Sequence, residues 1–176
     1  MGSGGMIVMD DHTCMVDIAR YFVAFLEGES CGKCPPCRLG LTQLSGLLRK
    51  VSRGEAEPAD LDAIEDVARG TAESALCGLG TSAPNPVLST LRYFRDEYEA
   101  HLQGRCPAGV CKELIRYEIT DACTGCLLCV KPCPVDAITG EKKEVHVLDQ
   151  QLCTRCGICR SLCQHDAIRI TSGGDR

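Results

Sequence analysis

Residues 123–134 read CTGCLLCVKPCP and residues 153–164 read CTRCGICRSLCQ. Cys123, Cys126, Cys129 and Cys133 therefore recur at the same spacing as Cys153, Cys156, Cys159 and Cys163. The period of 30 residues reaches beyond the cysteines, because Thr124 recurs as Thr154 and Asp136-Ala137-Ile138 as Asp166-Ala167-Ile168. Three thiols two residues apart curl a loop whose N–H groups face an anionic centre. The fourth cysteine begins the next helix and points away, toward the centre of the other half. One [4Fe–4S] cluster is therefore assigned to Cys123, Cys126, Cys129 and Cys163, and a second to Cys153, Cys156, Cys159 and Cys133. Each unit reads as strand, cysteine loop, short helix and strand, with residues 117–120 and 146–149 as the leading strands.

The alternative is a pair of structural zinc sites, which accept four cysteines. Zinc knuckles pair two Cys-x2-Cys steps, so the third cysteine of each run is surplus for zinc and suited to a cubane. The region resembles a bacterial two-cluster ferredoxin. One position departs from that pattern: Pro134, which turns the chain after Cys133, has Gln164 as its counterpart.

A third run lies upstream, in ESCGKCPPCRLG at 29–40. Cys31, Cys34 and Cys37 form another triplet, and no cysteine follows before Cys77 in LCGLG. Pro35-Pro36 suits the first turn of a helix, whose N-terminus favours negative charge. If the fold returns the LCGLG turn to that point, Cys31, Cys34, Cys37 and Cys77 hold a third [4Fe–4S] cluster. The alternative is three structural thiols and an unrelated Cys77.

Cysteine dominates the composition, with 15 in 176 residues, while aromatics make up only 4% and leave a modest conventional core. The odd count, with no readable signal peptide, argues against a disulfide framework and for a reducing cytoplasm. A net charge of −5 argues against a nucleic-acid surface, and no apolar run is long enough for membrane insertion. Helical periodicity runs over 13–27 with Thr13 as cap, 36–51, 60–75 with Asp60 as cap, and 85–102. The fold class is thus two domains, α and α+β: a four-helix bundle iron–sulfur domain, then a two-cluster ferredoxin domain. The boundaries are 1–12, with a short strand at 6–9; 13–103, the bundle; 104–116, a linker; and 117–176, the ferredoxin unit.

Three cysteines remain. Cys14 reads as a buried structural thiol. Cys106 and Cys111, together with His101 and His146, form a candidate zinc site tying the two domains together. The alternative is two inert cysteines, a surface His101 and a strand-end His146. His12 and His165 read as surface residues.

GSGGMIVMD, ESCGKCPPCR and LCGLG resemble the C-terminal part of the flavoprotein subunit (51 kDa or F-type) of NADH:quinone oxidoreductase. TSAPNPVLSTLRYFRDEYEAH, CPAGVC and the double run are more specifically similar to the beta subunits of NAD(P)-reducing and electron-bifurcating [FeFe] hydrogenases. They are also similar to those of NAD-dependent formate dehydrogenases. The resemblance implies that residues 1–12 are the tail of a ubiquitin-like (SLBB) domain, and that FMN and NADH belong to an upstream domain. This chain alone is then not catalytic. It implies a relay between flavin and a partner redox subunit, such as a thioredoxin-like 2Fe–2S subunit or a hydrogenase or formate dehydrogenase catalytic subunit. The rival readings are a stand-alone ferredoxin-like carrier and a zinc-stabilised interaction module.

Overall fold

A computed structural model describes residues 7–172. Helix α1 spans Met15–Glu29, and its buried Met15, Val16, Ala19 and Val23 fall at helical spacing. Cys14, not Thr13, occupies the N-cap. The first turn is anchored tertiarily, because the Met15 N–H donates to the Glu97 carboxylate at 2.9 Å. Helix α2, Pro35–Arg53, starts on its prolines and stops at Gly54, whose φ of +68° suits a residue without a Cβ. Helix α3, Pro58–Ser74, begins two residues earlier than Asp60 suggested. Asp60 caps from inside the first turn, its carboxylate accepting the Glu57 N–H at 2.8 Å.

The expected fourth helix is broken. LCGLG contributes a short helix α4, Gly78–Ser82, and the segment after it forms α5, Asn85–Tyr93, and α6, Arg95–Leu102, kinked at Phe94. No proline imposes the kink. Phe94, expected on the buried stripe, is 40% exposed, while Tyr98 is fully buried with its hydroxyl 2.8 Å from Thr90 Oγ1. Four residues apart, the two would share one face of a straight helix; across the kink only Tyr98 is buried, with its hydroxyl paired to Thr90. Helix α1 packs on α2, α2 on α3, and α5 against α1 and α3.

A 3₁₀ turn at Lys112–Leu114 leads into β1, Ile115–Ile119. The other strands are β2, Ile138–Thr139, β3, Val147–Leu148, and β4, Ile168–Ser172. The pairing crosses the repeat: β1 runs antiparallel to β4 with Tyr117 opposite Ile170, and β2 antiparallel to β3 with Ile138 opposite Leu148. The leading strand of each unit thus closes the trailing strand of the other. A short helix was expected in both units. Only the second forms one, α7 at Ile158–Leu162. In the first, Pro132 stands where Leu162 does and lacks the N–H a helical bond needs. Of the strand expected at 6–9, Met6 lies outside the described residues, and Ile7, Val8 and Met9 are exposed without regular structure.

Helix α2 meets α3 closely at Gly40, where any Cβ would overlap the Thr71 hydroxyl. Gly40→Ala is expected to destabilise the chain by about 1–3 kcal/mol. The check is a lower urea midpoint of the helical circular dichroism; an unchanged midpoint would show that the two helices do not touch there.

Candidate metal and cluster centres

Three cavities are lined by four cysteines each. Cys123, Cys126, Cys129 and Cys163 line one, Cys133, Cys153, Cys156 and Cys159 the second, and Cys31, Cys34, Cys37 and Cys77 the third. The structure brings Cys77 beside the Cys31, Cys34 and Cys37 triplet, and places Cys163 and Cys133 each with the triplet of the other repeat unit.

The backbone of the repeat is shaped for this. Left-handed residues recur at the 30-residue period: Gly125 (φ +65°) with Arg155 (+53°), Leu127 (+64°) with Gly157 (+80°), and Asp136 (+50°) with Asp166 (+46°). In each loop one of the first two positions is glycine and the other is not. A non-glycine residue there is disfavoured by roughly 1–2 kcal/mol, so the loop geometry is imposed by its surroundings. The turned backbone aims N–H groups at sulfur. Ala137 donates to Cys133 Sγ and Ala167 to Cys163 Sγ, both at 3.3 Å, and Arg155 donates to Cys153 Sγ at 3.4 Å. The Ala137 and Ala167 bonds match although Gln164 replaces proline, so the departure leaves the turn intact.

In each repeat cavity one sulfur ligand is buried and another exposed: Cys129 and Cys159 are buried, Cys126 and Cys156 exposed. Burial pushes the Cys129 and Cys159 thiols up, and the neighbouring sulfurs push the same way. Four thiolates gather here favourably only around a cationic centre. The donor sets and the inward N–H groups fit [4Fe–4S] clusters.

The third cavity is closed over distance. Arg38 donates to the Gly32 carbonyl at 2.7 Å, fixing the triplet loop, and Ser30 Oγ lies 3.4 Å from Cys37 Sγ. The Cys34 thiol is lowered, first by the Leu76 backbone N–H and then by that of Cys37. Leu76 directly precedes Cys77, so that contact ties the two halves of the set. Gly80 permits the approach, because a Cβ there would crowd Cys37 and Ala75. Cys31 and Cys77 are exposed, Cys34 and Cys37 buried.

A fourth cluster of donors lies between the helices and the repeat. Cys14 Sγ, His101 Nε2, Cys106 Sγ and Cys111 Sγ all lie within 4.8 Å of one another, and all four residues are buried. His101 Nε2 is 3.4 Å from Cys14 Sγ and 3.3 Å from Cys111 Sγ. Its Nδ1 lies 2.7 Å from the Glu97 carbonyl, which can only accept, so Nδ1 carries the proton and Nε2 faces the sulfurs. Burial alone would lower the His101 pKa, yet bonds with Cys106 and Cys14 push it up to about 10. The hydrogen bond between Cys106 and Cys111 holds Cys106 below the ordinary thiol range and Cys111 above it. Three sulfurs and one imidazole nitrogen thus face a common centre.

This set differs from the expected one by a single member. His101, Cys106 and Cys111 meet as expected, but His146 lies elsewhere, with Nδ1 3.7 Å from both Cys123 Sγ and Cys129 Sγ. Its place is taken by Cys14, read from sequence as a plain buried thiol. His101 is fully buried rather than at the surface. The signal was available: the three cysteines left over after the cluster sets, with one adjacent histidine, already make a complete tetrahedral set. His165 is exposed, yet it lines the cavity of Cys123.

Residues 17–101 match the NADH-ubiquinone oxidoreductase-F iron-sulfur binding region, and residues 122–168 a 4Fe-4S dicluster domain. The NADP-reducing hydrogenase subunit HndC of Solidesulfovibrio fructosivorans is 47% identical over 170 residues, 96% of this chain and 35% of that protein. An F-type subunit of the NADH-quinone oxidoreductase of Rhizobium meliloti (strain 1021) is 42% identical over 108 residues, 61% of this chain and 26% of that protein. A crystal structure of NAD+-reducing [NiFe]-hydrogenase in the H2-reduced state superposes with a TM-score of 0.52 at 35% identity, over 55% of this chain and 17% of that one. The chain thus spans 26–35% of the length of these two curated relatives. Its match to HndC extends through both the helices and the repeat. With these two iron–sulfur domains in this order, the chain is an iron–sulfur electron-transfer module homologous to the C-terminal iron–sulfur part of the F-type subunits of NADH-quinone oxidoreductase.

Proposed function

We propose that the chain relays electrons between a flavin site that oxidises NADH and a partner redox subunit, through three [4Fe–4S] clusters. The observation that carries this reading is the three cavities lined by four cysteines each. When bound, each cluster accepts and gives one electron at a time without breaking a bond. The protein's own part is to hold the sulfurs, exclude water from the buried ones and aim N–H groups at them. FMN and NADH are held elsewhere in the oxidoreductase, and the partners are a thioredoxin-like 2Fe–2S subunit and a hydrogenase or formate dehydrogenase catalytic subunit. The hydrogenase relatives support that choice. The cavity of Cys31, Cys34, Cys37 and Cys77 receives the electrons from flavin, since two of its sulfurs reach the surface. The packing of α1, α2, α3 and the kinked α5–α6 pair supports reading residues 13–103 as a four-helix bundle, with 117–176 the ferredoxin domain and 104–116 the linker. Among the described residues no helix is long and apolar enough to cross a membrane, and fifteen unpaired cysteines suit the reducing cytoplasm.

We assign Cys14, His101, Cys106 and Cys111 to a structural zinc, because three sulfurs and one imidazole nitrogen make a closed tetrahedral set.

Anaerobically purified protein is expected to hold about twelve iron and twelve sulfide per chain. Abundant zinc with little iron would refute the relay and favour an interaction module. Cys14→Ala is expected to lose one zinc per chain while keeping its iron, and His146→Ala to keep that zinc. Elemental analysis of the two variants checks this, and the opposite result would restore His146 as the ligand.

A further inference from the structure

The two cavities of the repeat share one backbone, but their linings differ: His165 in one stands where Val135 does in the other, and the leading strands contribute different side chains. At the start of β3, His146 lines the cavity of Cys123, Cys126, Cys129 and Cys163. In the other cavity the leading strand β1 presents Tyr117. The Tyr117 hydroxyl lies against Gly157 in the cysteine loop. His146 instead places Nδ1 at 3.7 Å from two ligand sulfurs, Cys123 Sγ and Cys129 Sγ.

Three observations fix what the ring does there. It is only 2% exposed, so water does not compete for it. Its Nε2 is buried with no hydrogen-bond partner among the described residues. A buried N–H left unpaired costs more than a bare lone pair beside apolar neighbours, so the proton sits on Nδ1, facing the sulfurs. Finally, Gly140 makes room for the imidazole, because a Cβ there would overlap its Cδ2. The ring is held as a donor to the sulfur cage.

Resting on the cluster assignment above, we propose that His146 is a positioning residue that separates the two clusters of the repeat energetically. Its Nδ1–H bonds the thiolates of Cys123 and Cys129 and raises the reduction potential of that cluster above that of its pseudo-symmetric partner. One electron taken up increases negative charge on the sulfurs, which the N–H dipole stabilises; no proton moves and no bond breaks. The Cys123 cluster is then where an electron comes to rest, and the Tyr117-side cluster is the harder one to reduce.

The test is an electrochemical titration of the anaerobically prepared chain, followed by electron paramagnetic resonance, with iron and sulfide counted first. A low iron count in the unsubstituted chain would overturn the cluster assignment itself. With clusters full, His146→Leu is expected to lower the reduced-to-oxidised ratio of one repeat cluster about tenfold at a fixed poise, about 59 mV for a one-electron couple. His146→Gln, which retains an N–H, is expected to recover most of that shift, and Tyr117→Phe to leave the Cys123 cluster unmoved. Unchanged potentials in a fully loaded His146→Leu protein would overturn the proposal. Should that variant fail to take up iron, histidine labelled with 15N in a His165→Ala background decides. Weak 15N coupling to the reduced cluster supports the bond, and its absence refutes it.

Discussion

Sulfur atoms that carry negative charge repel, and this chain holds them in fours. The pressure is visible in the buried Cys129 and Cys159, whose thiols are pushed up by burial and by their neighbours. The backbone answers with donors. Left-handed turns at Asp136 and Asp166 aim the Ala137 and Ala167 N–H groups at the remote cysteines, and the Leu76 N–H does the same for Cys34. A core with few aromatics is thereby completed: Cys34, Cys37, Cys129 and Cys159 belong to the same buried cluster as Leu41, Leu44 and Ile138.

What the sequence disclosed follows from range. Ligands two residues apart are brought together by one loop, so the triplets are legible, and the repeat itself implies the crossed fourth ligand. Cys77 could be reached only by assuming that the helices return LCGLG to the triplet, which α4 and Gly80 allow. The set around His101 was partly illegible because Cys14 is 87 residues away from it. Nothing local in Cys14 distinguishes a ligand from a buried thiol. His146 was misplaced for the opposite reason: its sequence position beside a strand suits either centre, and only the crossed pairing of β2 with β3 delivers it to Cys123 and Cys129. The kink at Phe94 was hidden because Leu88, Leu91, Phe94 and Tyr98 keep helical spacing straight through it. Tyr98, the buried one of the pair, has Thr90 beside its hydroxyl, a partner the periodicity does not reveal.

Electron transfer needs sulfur near a surface, whereas cluster stability needs sulfur away from water. Each repeat cavity resolves the conflict by dividing its ligands, with Cys126 and Cys156 exposed and Cys129 and Cys159 buried. The Cys31 cavity tips the balance outward, exposing two.

The sulfurs of Cys14 and Cys111 stand 3.7 Å apart across 97 residues of chain. A zinc held there, as we propose, would close that stretch of chain as a clasp. It would remove from the unfolded ensemble the many conformations in which those ends wander, and a loop of about 100 residues closed covalently is worth on the order of 4–5 kcal/mol in the chain-entropy picture. Helices α1–α6 all lie within that loop, whereas α7 lies outside it. With the zinc we propose bound there, the clasp would stabilise α1–α6 together, and that stabilisation would be lost when the ion is removed.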